Sequence, residues 1–418
     1  MDFVRVLGTG LLAALAGCAA GPQQIGKDWY SAWAMAHNAR VAAPMTGRTV
    51  RMILTPSISG QALRVKIENT MGETPVVFSG AAVGVAGSGP AVREGTIARL
   101  TFSGRPGLTL APGQGAYSDP VSFNVRAFEK LALSLDVQSA PDISAHHVGL
   151  TTNWSAAGAR AADVSGAGFE SLPEVPPANT GQWPYYWVAA LDVQSSQANG
   201  SIVFLADSIT DGRCSTRDDK GAVHPDLNVR WTDVLAARLV SRGGPQKGIA
   251  NMGISGNRVL GRGNGPSALE RLERDVLDRA GVTHVVFFEG TNDVAGNFTA
   301  AQVIAGSQQI LALIRARGGI KVIGVTVIPR GRPAPETGWT AANEKERQAL
   351  NDWIRNKAGF DGVIDFDALM KNAPAVTLST GGSAPAIPAA WNCDFTHPNA
   401  AGYRAMGEFV DLRLFDLP

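Results

Sequence analysis

Near residue 200 the hydrophobic pattern of the chain changes period. Beyond that point come short apolar runs, Ser201–Leu205, Gly248–Asn251, His284–Phe288, Lys321–Val325 and Val363–Asp365. Runs of this length without polar alternation are the kind buried on both faces of a parallel sheet. Helical patterns separate them over residues 231–240, 268–278, 300–317, 344–357 and 400–415. Strand–helix alternation predicts an α/β domain with a doubly wound, mostly parallel sheet in three layers, whose ligands sit beyond the carboxyl ends of the strands.

Upstream the rhythm is different. From Thr49 to Val137 apolar and polar residues alternate in short runs, such as Leu63–Glu68 and Leu131–Leu135, punctuated by Gly, Pro and Ser. This predicts antiparallel strands in an all-β sandwich or jelly-roll-like domain. Residues 138–182 are rich in Ala, Gly, Ser and Pro and read as a long connection draped over the surface or packed between domains. The expected organisation is a signal peptide over 1–17, an N-terminal segment over 18–47, the β-domain over 48–137, a linker and interdomain segment over 138–199, and the α/β domain over 200–418.

Composition limits the partners. In 418 residues Lys+Arg number 37 against Asp+Glu 36, a net charge of +1, which leaves no basic excess for a nucleic-acid backbone. The apolar run near the N-terminus is about a dozen residues, too short to span a bilayer. With Arg5 before it and small residues after it, this run reads as an export signal. Leu15-Ala16-Gly17-Cys18 resembles the lipobox of bacterial lipoproteins, in which Cys18 is acylated after cleavage; an ordinary cleavable signal is the alternative. The expected location is the bacterial envelope, with membrane contact only through a lipid anchor at Cys18. In an oxidising compartment the remaining pair, Cys214 and Cys393, is a candidate disulfide.

The chemistry-bearing residues follow the strands. Ser208, in Ala206-Asp207-Ser208, stands at the rim of the expected sheet as a candidate nucleophile. Asp394 and His397 lie three residues apart before the last helix, where the carboxylate can hold the imidazole in the tautomer that accepts a serine proton. Gly253 and Asn292, after the second and third strands, are candidate oxyanion donors together with the Ser208 N–H. Asp207 is expected to bond turn amides. Asn257 and Arg258 are candidate substrate contacts, and His146-His147 is expected in a solvated loop.

These blocks, in this order and at strand ends, resemble the SGNH hydrolase superfamily of GDSL esterases and lipases. Ser208, Gly253, Asn292 and His397 match its four name-giving residues, and Asp394 the acidic member of its last block. The resemblance covers about residues 200–418 and implies a flavodoxin-like fold and hydrolysis of esters through an acyl-enzyme, with no metal or organic cofactor. A small-molecule or carbohydrate ester is the expected substrate, with export, the β-domain and the aromatics around Trp183–Trp187 pointing to acylated carbohydrates with short acyl groups. The chain departs from the family at Ala206, where the signature has glycine. A methyl group there predicts a narrower cleft, or a strained turn if φ is positive.

Two other readings use the same residues. One is a glycan-binding lipoprotein whose hydrolase site Ala206 has impaired. The other is a metal phosphoesterase holding its ion with Asp207, Asp211, Asn292, Asp293 and His397. The aromatics Trp183, Tyr185, Tyr186 and Trp187 either stack on sugar near the cleft or fill an interdomain core.

Overall fold

In the computed structural model, residues 28–174, 183–370 and 374–417 are described. The signal segment and Cys18 lie outside them.

The second half is the expected three-layer α/β domain. Its five-stranded sheet has the spatial order Gln246–Gly253, Ala198–Ala206, Val282–Phe288, Lys321–Val325, Gly362–Ile364, all parallel. In chain order this is 2-1-3-4-5, with its switch point between the first and third strands. Side chains alternate across the sheet with period two. Val203 and Leu205 enter one core with Ile310, Leu311 and Leu350, while Ile202, Phe204 and Ala206 enter the other with Trp231, Leu235 and Tyr403. That double burial is why the runs carry no polar alternation.

The β-half is a sandwich of two antiparallel sheets with a small third sheet of Ala39–Val41, Ile143–His146 and Tyr185–Tyr186. One holds Trp29–Ala34, Val188–Gln194, Gly60–Glu68, Gly115–Tyr117 and Val121–Val125; the other includes Trp154–Ala157, Arg48–Leu54, Leu131–Ser139 and Val76–Val85. Leu63, Val65 and Ile67 from the first sheet share a buried core with Val50, Met52, Val83 and Leu133 from the second.

The expected boundaries need correction here. The sandwich is wider than 48–137, because Trp29–Ala34 of the N-terminal segment and Val188–Gln194 of the supposed linker pair with each other inside it. Residues 138–199 are therefore not a draped connection: Ile143–His146, Trp154–Ala157 and Val188–Gln194 are strands. Their Ala- and Ser-rich composition hides them, since small residues pack in a sheet without a strong hydrophobic signature. Tyr185, Tyr186 and Trp187 are buried in the sandwich core, so these three fill an interior, with Tyr186 also bordering a cavity beside Val41, Arg48 and Glu170, while Trp183 is partly exposed.

The two halves share a polar interface. Ser31 N–H donates to Ser201 Oγ at 3.0 Å, and Ile249 N–H donates to Ser57 Oγ at 2.9 Å. A buried run of charges crosses the same boundary. Glu68 of the sandwich pairs with Lys66 at 2.6 Å and lies 3.9 Å from Arg279, while Asp275 joins Arg274 to Arg271.

Candidate active site

The first strand ends at Ala206 and the chain turns at once into the short helix Ser208–Asp211. Asp207 caps this helix, its Oδ1 accepting the Ile209 N–H at 2.9 Å, which fixes the turn that presents Ser208. His397 comes from the segment before the helix Ala400–Phe409, and its Nε2 lies 2.7 Å from Ser208 Oγ. On the other side of the ring, Nδ1 is 2.9 Å from Asp394 Oδ2. Asp394 is itself held by the N–H groups of Thr396 and His397, which donate to Oδ1 at 3.0 and 2.8 Å. A proton on Nδ1 faces the carboxylate, so Nε2 is left to accept from the serine hydroxyl.

Electrostatics favours that state. Burial lowers the His397 pKa below its ordinary value and outweighs the raising effect of Asp394, with Arg213 and Arg330 adding to the lowering. Hydrogen bonds and charge from His397 hold Asp394 well below the usual carboxylate range, against its partial burial.

The shell around the pair is tied together. The disulfide Cys214–Cys393 joins the loop after Ser208 to the residue before Asp394, with Cα atoms 6.4 Å apart. Arg271, fully buried, donates to the carbonyls of Ala206 at 3.0 Å and Met252 at 2.5 Å, and so fastens the ends of two strands. Its partner Glu289 lies 3.4 Å away. Burial, and for Glu289 the neighbouring charge of Asp207, raises the pKa of both carboxyls, Asp207 to about 7 and Glu289 well above its ordinary value.

With this geometry in view, comparison with known proteins identifies the α/β half. Residues 205–405 match the GDSL-like Lipase/Acylhydrolase family. This region is a GDSL-like acylhydrolase domain. It is the domain of a carboxylic ester hydrolase. Solved structures similar to the chain include a carbohydrate acetylesterase family member from Sinorhizobium meliloti, at 20% identity over 50% of this chain and 94% of that one, TM-score 0.37. A GDSL-like lipase from Bacteroides thetaiotaomicron is 23% identical over 53% and 91%, TM-score 0.36, and an aryl esterase from M. smegmatis 19% over 50% and 95%, TM-score 0.37. Among curated proteins none matches the chain.

Within the GDSL-like domain several expectations change. Gly253 is not a free donor: it is buried and its N–H is taken by Asn251 Oδ1 at 3.0 Å. Its lack of a side chain serves packing, because a Cβ would stand 2.4 Å from the Asp211 nitrogen. Gly256, three residues on, has φ +78° and is partly exposed, and its N–H makes no hydrogen bond among the described residues. The Ser208 N–H is likewise uncommitted. Asn292 Nδ2 donates to Asn257 O at 3.0 Å, which sets its amide beside the Gly256–Asn257 peptide and leaves a second proton.

Asn257 is no substrate contact. It is fully buried, donating to Pro266 O at 2.7 Å and accepting from Arg271 Nε at 3.0 Å. Arg258 is partly exposed, with its guanidinium against the end of the helix Thr291–Ala295 beside Gly296. Ala206 lies in extended strand and its methyl points into the core with Trp231, so neither a narrowed cleft nor a positive-φ turn results.

The acidic residues of the metal reading do not converge either: Asp293 accepts the N–H groups of Val259 and Leu260, while Asp211 is bound to His146 and Ser255. His146 is correspondingly no solvated loop residue but fully buried. Arg271, His146 and Gly256 are the residues that sequence reasoning missed. Gly256 had a signal, a second glycine in the same strand-end block; the other two act through partners 65 or more residues away or in other elements.

Proposed function

We propose that the chain is a serine esterase that cleaves carboxylic esters through an acyl-enzyme on Ser208. Ser208 Oγ attacks the ester carbonyl carbon while His397 Nε2 takes the hydroxyl proton, and Asp394 steadies the imidazolium. When the tetrahedral adduct collapses, the bond to the alcohol oxygen breaks and His397 returns the proton to that oxygen. Water then attacks the acyl carbon by the same route, releasing the acid and regenerating Ser208. The N–H groups of Ser208 and Gly256 and the side-chain amide of Asn292 hold the oxyanion, each worth about 3 kcal/mol in the transition state.

The observation that carries this reading is the succession of 2.7 Å from Ser208 Oγ to His397 Nε2 and 2.9 Å from Nδ1 to Asp394. The substrates we favour are short acyl esters, of acylated carbohydrates in particular. The rival reading, an impaired glycan-binding protein, drew on Ala206, and the buried methyl removes that motive. Labelling with a fluorophosphonate and hydrolysis of p-nitrophenyl esters of graded chain length test the proposal. Wild type should label at Ser208 and cleave the short esters, and Ser208→Ala should do neither; an unlabelled, inactive wild type would refute it.

We further propose that the mature chain begins at Cys18 and is tethered to the bacterial envelope by acylation there. The N-terminal pattern supports this, and a disulfide between Cys214 and Cys393 accords with an oxidising compartment. Metabolic labelling with palmitate, lost in Cys18→Ser, is the expected result.

A further inference from the structure

Two guanidinium groups stand beside the Ser208–His397 pair, near Asp207 and Asp394 but in no direct ion pair among the described residues. Arg330 and Arg332 lie on the loop that leaves the strand Lys321–Val325, at the carboxyl edge of the sheet where ligands of such folds bind. Arg332 Nη2 donates to Thr396 Oγ1 at 2.7 Å, next to His397 in the chain. Arg330 Nη1 is 3.3 Å from both the carbonyl and the hydroxyl of Thr291, next to Asn292. The Arg330 guanidinium is stacked 5.5 Å over the ring of buried Trp339, which fixes its direction.

Other buried arginines have an acid in direct contact, Arg64 with Asp192 at 3.1 Å and Arg347 with Asp367 at 2.6 Å, or, like Arg51, spend their donors on carbonyls and a serine hydroxyl. Arg330 and Arg332 form no ion pair among the described residues, and the Nε of each is buried without a hydrogen-bond partner. Burial and the neighbouring charge of Arg332 push the Arg330 pKa down to about 10, against the partly offsetting charges of Asp207 and Asp394. Two like charges side by side and partly dehydrated are costly, and a bound anion would offset that cost.

We propose that Arg330 and Arg332 form a subsite for an anionic group carried by the ester substrate, such as the carboxylate of an acylated uronic acid. The inference rests on the esterase reading and names the substrate class for that same site. The ester carbonyl meets Ser208 while the acidic group of the same sugar is held by the two planar forks, whose geometry suits carboxylate or sulfate.

The test uses the full chain and diisopropyl fluorophosphate, a neutral probe of Ser208. Methyl glucuronoside or methyl glucose 6-sulfate should slow labelling about tenfold at concentrations where methyl glucoside has no effect. Which of the two protects better tells carboxylate from sulfate. The monoacetate of methyl glucuronoside should be cleaved with kcat/KM about tenfold above that of the matched glucoside, through KM. In Arg330→Gln/Arg332→Gln that ratio should fall to about one. Should the double variant fail to fold, the wild-type protection must still weaken as NaCl is raised. Equal protection by neutral and anionic sugars, or a preference that survives in the double variant, overturns the subsite and leaves the esterase standing. Absence of labelling without any sugar overturns the esterase reading and the subsite with it.

Discussion

His146 Nε2 lies 2.9 Å from Asp211 Oδ1, joining the β-sandwich to the turn that presents Ser208. Nδ1 of the same ring faces the carbonyl of Ala36 at 2.7 Å and must carry a hydrogen, because a carbonyl only accepts. Asp211 Oδ2 takes the N–H and hydroxyl of Ser255 at 2.8 and 2.6 Å. Both partners of the pair are fully buried. His146→Ala would strand a buried carboxylate, and we expect a loss of about 3 kcal/mol in stability by urea denaturation. Because the helix Ser208–Asp211 keeps Ser255 but loses its tie to the β-half, kcat for ester cleavage should fall more than KM rises.

The acid limb of activity should report His397. Its pKa is held below 6.5 by burial, so the neutral base persists to mildly acidic pH and kcat/KM should fall only below that value. Asp394→Asn removes the charge that raises this pKa. The residual activity should then be lower by about four orders of magnitude, with its acid limb moved to still lower pH. A pH–rate profile of both proteins checks the direction.

Restoring the family glycine should matter for stability and not for rate. Ala206 packs in the core in an extended strand. Ala206→Gly removes a buried methyl and loosens the backbone, a loss of about 1–2 kcal/mol. Thermal melts should show this while kcat on a p-nitrophenyl ester stays near wild type; a large rate change would place the methyl in the cleft after all.

Breaking the disulfide should loosen the site from both ends. Cys214 and Cys393 are separated by 179 residues, and a loop of that length is worth up to about 5 kcal/mol in the chain-entropy picture. Cys214→Ser/Cys393→Ser should melt earlier than wild type, and dithiothreitol should lower the wild-type melt but not that of the variant.

Two buried histidines contribute to the loss of stability in mild acid. His37 donates from Nε2 to Val188 O at 3.0 Å and accepts at Nδ1 from Ser144 Oγ at 2.8 Å, and burial lowers its pKa to about 4. Burial, with Lys247 and Lys321 near, brings His284 to about 4 as well. Between that value and the unfolded value of 6.5 the unfolded chain binds protons that the folded chain refuses. The contribution of these rings is thus full above pH 6.5 and falls as pH drops toward 4, by about 1.4 kcal/mol per pH unit for each ring. Asp207 and Glu289, whose pKa values are raised in the folded state, act in the opposite sense over the same window, so the histidine contribution is read as the difference between wild type and a variant lacking one ring. His284→Phe, at a position whose Nε2 has no partner among the described residues, should flatten the slope.

Local features of the chain were legible without coordinates. The apolar runs after residue 200 read correctly as parallel strands because burial on both faces leaves a local mark. Asp394 and His397 meet within one turn, and Ser208 and Asn292 stand at strand ends, so short-range pattern located them. Which glycine keeps a free N–H was decided by tertiary contact: Asn251 and Asp211 close on Gly253 and leave Gly256 open. Tertiary pairing also set the limits of the sandwich, where Trp29–Ala34 joins Val188–Gln194, and it drew His146 to Asp211 and Arg330 to Trp339. Contacts of this kind are made between residues far apart in the chain, through hydrogen bonds and ion pairs that impose no period on either partner's neighbours, so only the folded arrangement records them.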